Sequence, residues 1–336
     1  MDIVSVRNVE EALILGTKVV NSVGVRRDSR NGPVKVMPMP VTTIYSHPKE
    51  RVMFLPDRDC NPYFHFMECL WMLSGRRDVA WISQFSSNIA NYSDDGINFH
   101  GAYGYRWRNH FTEPDDKNNV LDQLATIAEL LKKNPDDRRT VLQMWDATVD
   151  LGLDGKDFPC NLIITFRINP QGHLDMTVFN RSNDMVWGAY GANAVHMSFL
   201  QEVMASWVGV PVGKYWQIST NFHAYLNTLA KVESVMDLSA GFTPYELDEV
   251  APFPIVSSGI DQWHSDLAMF MDEGANAMGY TDQFFKKVAV PMLQSWQAWK
   301  DREAPDFMDS AAYYADRIAA SDWRKACVEW LERRDV

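Results

Sequence analysis

Two stretches of alternating side chains joined by a short turn constrain the fold of this sequence more than any other feature. Residues 173–180 carry apolar side chains at every second position, and residues 161–169 are rich in β-branched and aromatic side chains. Between them, the NPQG segment at 169–172 is typical of a β-hairpin turn. Residues 141–146 predict a further strand. The sequence therefore predicts a sheet that is mainly antiparallel or mixed.

Helices are predicted on both sides of this hairpin along the chain. Residues 63–73 are apolar on nearly every side, which predicts a buried helix, and residues 194–207 predict a second one. Apolar side chains at three- and four-residue spacing predict an amphipathic helix over residues 118–133, and a last helix begins near Ser321. Strands and helices do not alternate regularly as in a doubly wound fold. We therefore expect an α+β fold in a single domain, with helices flanking the sheet.

The charge balance restricts what the protein binds. Lysine and arginine number 32, against 44 aspartate and glutamate residues, which gives a net charge of −12. Because a protein that coats nucleic acids needs a basic surface, this balance excludes a nucleic-acid partner. Any phosphate must be bound locally. The arginine-containing residues 26–33 are interpreted as a loop that is either solvated or binds an anion.

The sequence also bears on location and on metals. No apolar run approaches the ~18 residues that cross a membrane, so no membrane partner is predicted. Residues 1–7 show no start of a secretory signal, which predicts a cytoplasmic location, or the host cytoplasm if a phage encodes the protein. The four cysteines are widely spaced without a C-x-x-C pair, so neither a metal site nor a disulfide framework is indicated.

Cys160 is the residue whose surroundings carry the most chemical information. It follows Pro159 at the start of a predicted strand, and a lone cysteine of this kind is more often a buried small side chain than a nucleophile. Its neighbours along the chain change that interpretation. In order, they are the pair Arg138 and Arg139, Cys160 itself, RSND at 181–184, WGAYGAN at 187–193 and NFHAY at 221–225.

This ordered set resembles the thymidylate synthase family, over about residues 25–230. The resemblance implies a thymidylate synthase-like catalytic domain in residues 1–240, and a family-divergent helical part in residues 241–336 packed on the same domain. It also implies a one-carbon transferase that takes 5,10-methylenetetrahydrofolate as donor and a pyrimidine nucleoside monophosphate as acceptor, without a metal.

The resemblance assigns roles to residues that contact the nucleotide. Cys160 is implied to be the thiolate that adds to carbon 6 of the pyrimidine, and nearby arginines would favour its ionised form. The implied phosphate-binding residues are Arg30, Arg181 and Ser182 of the same subunit, with Arg138 and Arg139 contributed by the partner subunit. A homodimer is therefore expected to be required for activity.

Further roles are implied around the base, the sugar and the folate. Glu68, in its apolar helix, would act as a general acid and base through water, although a glutamate paired with a core arginine is the alternative. The other implied residues are Tyr103 near the cysteine, Asn193 at the base, His223 and Tyr225 at the sugar 3′-hydroxyl, and Asp184 at the pterin ring. Tyr103, His223 and Tyr225 have the alternative of being hydrogen-bonded core residues.

Departures from the family pattern bear on the product. Asn161 follows the nucleophile where a thymidylate synthase usually has histidine, and is placed among the catalytic residues. The C-terminal tail that closes the synthase site is absent. Because the changed site would admit water to the reactive carbon, we favour 5-hydroxymethylation of a 2′-deoxynucleotide, as in the pyrimidine nucleotide hydroxymethylases. The alternatives are a thymidylate synthase that methylates dUMP and a catalytically silent nucleotide-binding regulator.

The base itself stays open at the level of sequence. In the family an asparagine at the position of Asn193 reads uracil and an aspartate reads cytosine. An amide can present its oxygen and nitrogen either way round, however, and an inserted residue puts Ala192 at this position if no gap is allowed. The overall resemblance to cytidylate-type enzymes favours dCMP slightly over dUMP.

Overall fold

A computed structural model describes residues 2–239 and 242–335 of the chain. Its strands are β1 (Asp2–Val6), β2 (Val25–Ser29), β3 (Gly32–Val36), β4 (Val41–Tyr45), β5 (Val141–Gln143), β6 (Asn161–Ile168), β7 (Leu174–Asn180), β8 (Asn183–Asp184), β9 (Val212–Ser219) and β10 (Phe222–Tyr225). One sheet has six strands in the order β1-β4-β9-β7-β6-β5, and the other has four in the order β2-β3-β10-β8. In the larger sheet β1 and β4 are parallel, as are β7 and β9, so the prediction of a mixed sheet is confirmed.

Helices of two to four turns and several shorter ones surround these sheets. They are α1 (Val9–Val23), α2 (Pro62–Leu73), α3 (Val79–Ile82), α4 (Tyr103–Arg108), α5 (Gln123–Lys133), α6 (Ala147–Asp150), α7 (Asn193–Val208), α8 (Leu226–Lys231), α9 (Ile260–Glu273), α10 (Val290–Lys300), α11 (Phe307–Ala315) and α12 (Ser321–Glu332). The α+β architecture in a single domain is therefore as the sequence predicts. No helix among the described residues is long and apolar enough to cross a membrane.

The hairpin that the alternating side chains predict is present as β6 and β7, which pair antiparallel. Strand β5 is shorter than predicted because the backbone N–H groups of Met144 and Trp145 both donate to the carbonyl of Leu162, which ends regular pairing. Helix α5 begins later than predicted. The carboxylate of Asp122 caps it by accepting from the N–H groups of Leu124 and Ala125.

The prediction that residues 26–33 form a loop is wrong. They form most of an antiparallel hairpin of β2 and β3, in which Arg30 and Asn31 make the turn. Every residue of β2 is exposed, so the strand carries none of the apolar alternation by which a half-buried strand is recognised. The turn places the arginine beside β10, the partner of β3.

Helix α2 is buried, as predicted. Asn61 caps its first turn by accepting from the N–H of Phe64, and nearly every later side chain is buried. The helices after residue 250 pack on it: the hydroxyl groups of Tyr63 and Ser295 lie 2.6 Å apart, and the rings of Tyr63 and Trp330 meet edge to face. The predicted boundary at residues 240 and 241 lies outside the described residues.

Candidate active site

Cys160 lies immediately before β6, where a turn at Gly101 approaches it closely. A Cβ atom on Gly101 would lie 2.9 Å from the backbone nitrogen of Pro159, so this contact requires glycine. The hydroxyl oxygen of Tyr103 accepts from the N–H groups of Cys160 (3.2 Å) and Asn161 (3.4 Å). The structure thus brings together three of the residues that the sequence places at the reacting carbon, and Cys160 is half-buried.

Arg181 fixes the chain segment that carries the cysteine. Its Nε donates to the carbonyl of Pro159 at 2.9 Å, one Nη donates to the carbonyl of Phe158 at 3.3 Å, and its backbone N–H donates to the carbonyl of Cys160 at 3.0 Å. Burial raises the pKa of the Cys160 thiol, and the Arg181 guanidinium opposes this increase. The arginine therefore both holds the segment that carries Cys160 and favours the thiolate of this predicted nucleophile.

A cavity of about 450 Å³ opens beside the arginine hairpin. It is lined by several of the residues predicted to bind the sugar and phosphate, namely Arg30, Ser182, His223 and Tyr225. Asn221 and Arg27 also line it, and the Oδ1 of Asn221 lies 3.0 Å from the Nδ1 of His223. Its lining includes guanidinium, hydroxyl and imidazole groups, which suit a sugar phosphate.

Asn193 opens α7 and is only 9% exposed. Its Nδ2 donates to the Oδ1 of Asn183 at 3.0 Å, and its Oδ1 accepts from the Nδ2 of Asn161 at 3.4 Å. The predicted base-reading residue is therefore hydrogen-bonded to the residue that follows the nucleophile.

Glu68 points from α2 towards α7. Its Oε2 lies 2.9 Å from the Nε2 of His196, so the group beside it is a histidine rather than the core arginine of the alternative interpretation. The side chain is 14% exposed, which leaves the carboxyl group within reach of water. A glutamate beside a histidine can exchange protons, which suits the predicted acid and base role.

Asp184 lies where β8 ends, and its carboxylate is held by backbone groups. One oxygen accepts from the N–H of Trp187 at 2.6 Å and the other from the N–H of Tyr225 at 3.4 Å. Burial raises the pKa of this carboxyl group. Trp187, whose backbone the carboxylate holds, is 51% exposed, so it presents aromatic surface close to this carboxyl group.

Arg58 is a candidate site residue that sequence reasoning missed. Its guanidinium stacks on the Trp187 ring at 4.2 Å and its Nε donates to the carbonyl of Val186 at 2.9 Å. The residue is 4% exposed, yet its two terminal nitrogens have no hydrogen-bond partner among the described residues. A buried cation with free donors indicates a missing acceptor. No motif in the sequence singled it out, because Arg58 lies in a single 3-10 turn, Pro56–Arg58, before the apolar helix.

Arg138 and Arg139 do not reach the cavity of their own chain. Both are exposed, immediately before β5 at the edge of the larger sheet, and neither lines the cavity. Arg139 makes an ion pair with Asp137 at 2.6 Å. The prediction that they act across a dimer interface stays a prediction. The three remaining cysteines, Cys60, Cys69 and Cys327, are buried, as expected of packing residues.

Comparison with known proteins places this geometry among enzymes. A family model described as Thymidylate synthase matches residues 15–246. A deoxyuridylate hydroxymethyltransferase of Pseudomonas phage M6 is 50% identical over 341 aligned residues, covering 99% of this chain and 95% of the relative. Proteins of the same name from Bacillus phage SP01 and Delftia phage PhiW-14 are 42% and 30% identical, covering 56% and 72% of this chain and 50% and 68% of the relatives.

Proposed function

Because this chain belongs to the thymidylate synthase family, and is therefore a one-carbon transferase, we propose that it adds a hydroxymethyl group to carbon 5 of a pyrimidine 2′-deoxynucleoside 5′-monophosphate. The observation that carries the proposal is 50% identity, over nearly the whole chain, to a relative named deoxyuridylate hydroxymethyltransferase. The arrangement of Cys160, Tyr103 and Arg181 supports it because it presents a cysteine whose thiolate an arginine favours.

We propose dUMP as the preferred substrate, with dCMP as the second candidate. The sequence alone leaned towards dCMP, whereas three relatives carry the name of deoxyuridylate enzymes. Asn193 supports either base, because an amide pairs with uracil in one orientation and with cytosine in the other. Its neighbours in the structure therefore matter for the choice.

In the proposed reaction the Cys160 thiolate adds to carbon 6, which makes carbon 5 nucleophilic. Bound methylenetetrahydrofolate supplies the one-carbon unit that carbon 5 receives. Glu68 takes up and returns protons through water, and Arg181 keeps the cysteine segment in place. Carbon 5 would then lose its proton, and the bond between the one-carbon unit and the folate nitrogen would break as that nitrogen takes up a proton. Water would add to the exocyclic methylene group so formed, and the thiolate would leave carbon 6. The sum consumes one water and leaves the folate at its original oxidation level, unlike methylation.

The residues around Trp187 fit a folate. Asp184 offers a carboxyl group whose raised pKa suits exchange of a proton with a pterin ring, and the exposed indole beside it offers a stacking face. The unpartnered terminal nitrogens of Arg58 would donate to an acceptor on the same ligand. We assign this corner, defined by these three residues, to the one-carbon donor.

We also propose that the active form is a homodimer. The face of the larger sheet that points away from the core carries half-buried apolar side chains, and Ile163, Phe179 and Ile218 lie side by side across β6, β7 and β9. A second copy on this face would cover these side chains and bring the exposed Arg138 and Arg139 towards the partner's cavity. The cavity of one chain then receives arginines from both.

Mixing two inactive variants tests the dimer. Cys160→Ala protein has intact arginines, and protein carrying Arg138→Ala with Arg139→Ala has an intact cysteine, so a mixed dimer contains one complete site. We expect activity to return on mixing after partial unfolding and refolding. If the arginine variant alone is as active as the wild type, or if mixed dimers form without activity, the shared site is refuted.

The helices that follow residue 241 are proposed to be a family-divergent part that completes the same domain. The Tyr245 hydroxyl donates to Asp322 at 2.9 Å, and Arg334 forms an ion pair with Asp59, next to Arg58, at 2.8 Å. This part thereby supports the chain segment that carries Arg58. We propose the cytoplasm of a bacterial host as the location, since the relatives come from phages.

The reaction itself is tested by incubating the protein with dUMP or dCMP and methylenetetrahydrofolate and weighing the nucleotide product. A hydroxymethyl product without dihydrofolate is expected. A methyl product with dihydrofolate would instead identify a thymidylate synthase. Release of tritium from carbon 5 of labelled nucleotide separates both from the silent regulator, which would release none with either base.

A further inference from the structure

Four buried asparagines form a chain of hydrogen bonds that runs in one direction, here called the asparagine relay. Asn180 donates through Nδ2 to the Oδ1 of Asn161, and Asn161 donates to Asn193 at 3.4 Å. Asn193 donates to Asn183 at 3.0 Å, and Asn183 donates to the hydroxyl of Ser219 at 3.2 Å. The four side chains are 0% to 9% exposed.

The fold positions the relay through strand register. Asn161 pairs with Asn180 across β6 and β7, and Asn180 pairs with Ser219 across β7 and β9, so the three side chains form a row at one end of the larger sheet. The contact of Asn183 with Asn193 further depends on Gly188. A Cβ atom at that position would lie 2.6 Å from the Oδ1 of Asn183.

The relay leaves Asn193 no independent choice of orientation. Its nitrogen faces the oxygen of Asn183, and its oxygen faces the nitrogen of Asn161. If Asn193 alone rotated by half a turn, nitrogen would face nitrogen on one side and oxygen would face oxygen on the other. Buried polar atoms without partners are costly, so the rotation requires neighbouring amides to rotate as well.

The orientation matters because an amide pairs with uracil and with cytosine in opposite senses. Uracil offers a carbonyl oxygen and an N–H, whereas cytosine offers an amino group and a ring nitrogen without hydrogen. We propose that the asparagine relay, and not Asn193 alone, determines which pyrimidine the site accepts. Asn161, Asn180 and Asn183 are then positioning residues for base choice. This inference rests on the proposed function, in which Asn193 contacts the base.

Two isosteric variants test the proposal in opposite senses, since a carboxylate only accepts hydrogen bonds. Asn183→Asp still accepts from Asn193, and the Ser219 hydroxyl can donate to its other oxygen, so the present orientation is kept. Asn161→Asp needs a donor from Asn193, which forces that amide to rotate. The Asn183 amide then rotates too, with Ser219 donating to it. Both variants add one negative charge beside the base, so each controls for the other.

A third variant acts from a distance. Asn180→Asp accepts from Asn161, which makes Asn161 present its oxygen to Asn193 and reverses the relay two amides away from the base. Binding of dUMP and dCMP to each full-length variant is measured by calorimetry at pH 8, above the usual range of a carboxyl pKa. Melting temperatures check folding. Both Asn161→Asp and Asn180→Asp are expected to reverse the orientation of Asn193, so one of them that folds is enough to test the proposal.

We expect the ratio of dUMP to dCMP affinity to keep its wild-type sense in Asn183→Asp and to shift about tenfold towards the other base in Asn161→Asp and Asn180→Asp. An unchanged ratio in the latter two variants would overturn the proposal, as would an equal shift in all three. Product analysis on the wild type separates a failure of the proposed function from a failure of the asparagine relay. If wild-type protein binds neither nucleotide and forms no product, the proposed function has failed and not the relay.

Discussion

The two ends of the proposed site, one for the base and one for the phosphate, differ in burial and charge. At the base end, Asn161 and Asn193 are buried and hydrogen-bonded to one another, and Tyr103 holds the backbone next to the nucleophile. At the phosphate end, Arg30 lies exposed on a hairpin turn and makes no ion pair within the part of the chain that the structure describes. The base end is therefore ordered before a ligand binds, whereas the phosphate end presents an exposed positive charge.

This difference indicates which residues govern the chemical step and which govern nucleotide binding. Groups that are already in place lose little freedom when the reaction proceeds, so the base end is expected to govern kcat. Exposed arginines must be ordered by the phosphate and are screened by salt, so the phosphate end is expected to govern KM. Arg181 belongs to both, because it holds the cysteine segment and lies next to Ser182 of the cavity.

The largest expected effect is at the nucleophile. Cys160→Ala removes the atom that adds to carbon 6, and turnover should fall by about 10³-fold or more, while nucleotide binding stays within a few-fold of the wild type. Product formation and calorimetric binding measure the two quantities separately. An active Cys160→Ala protein would refute the assignment, and a loss of binding would show that the two ends are not separable.

The next effect concerns Arg181, the residue shared by both ends. Arg181→Ala should lower kcat/KM about 100-fold, because it removes a cation near the thiolate and the two hydrogen bonds that the guanidinium donates to the cysteine segment. Since Arg181 opposes the increase in the Cys160 pKa that burial causes, its loss raises that pKa further. The rise of kcat/KM with pH should therefore move to higher pH.

Arg181→Lys is the matched control for this prediction. A lysine keeps the positive charge near the cysteine but cannot donate to two carbonyl groups in the fork geometry of a guanidinium. The pH profile of Arg181→Lys should stay near that of the wild type while activity remains reduced. If Arg181→Ala leaves the pH profile unmoved, the electrostatic role of Arg181 is wrong.

Much of the fold was predictable because it follows from local patterns. Alternating side chains predict β6 and β7, and an uninterrupted apolar run predicts α2. The strand β2 was not predictable, since its side chains are all exposed and it is defined only by pairing with β3. The predicted start of α5 was also wrong, because the apolar periodicity begins before the cap at Asp122.

The site was predictable to the extent that motifs lie close in sequence. Cys160 and Arg181 were found from their order along the chain, and the structure brings them together. Arg58 and Asn180 were not found, because what marks them is a long-range relation. One is buried without a partner for its terminal nitrogens, and the other faces Asn161 only through strand register. Neither relation leaves a local pattern in the sequence.

A smaller effect is expected at Tyr103, which lies at the base end. Tyr103→Phe removes the hydroxyl oxygen that accepts from the N–H groups of Cys160 and Asn161, and leaves both donors without that partner. We expect kcat to fall about 30-fold with KM nearly unchanged, which corresponds to the loss of about 2 kcal/mol of hydrogen bonding. A change confined to KM would instead place Tyr103 with the binding residues of the phosphate end.

The smallest effect is expected at Arg30, on the exposed side. Arg30→Ala should raise KM for the nucleotide about tenfold with little change in kcat, because an exposed arginine contributes a charge-assisted contact to the phosphate and nothing to the reacting carbon. Arg26→Ala is the matched control, since Arg26 is exposed in the same hairpin but does not line the cavity.

Steady-state kinetics at low and high salt measure both variants. The wild type should lose affinity as salt increases, and Arg30→Ala should lose less, because the interaction that salt screens has already been removed. If Arg26→Ala raises KM as much as Arg30→Ala does, the hairpin acts only through its net charge. The phosphate end would then have no specific contact to set against the fixed geometry of the base end.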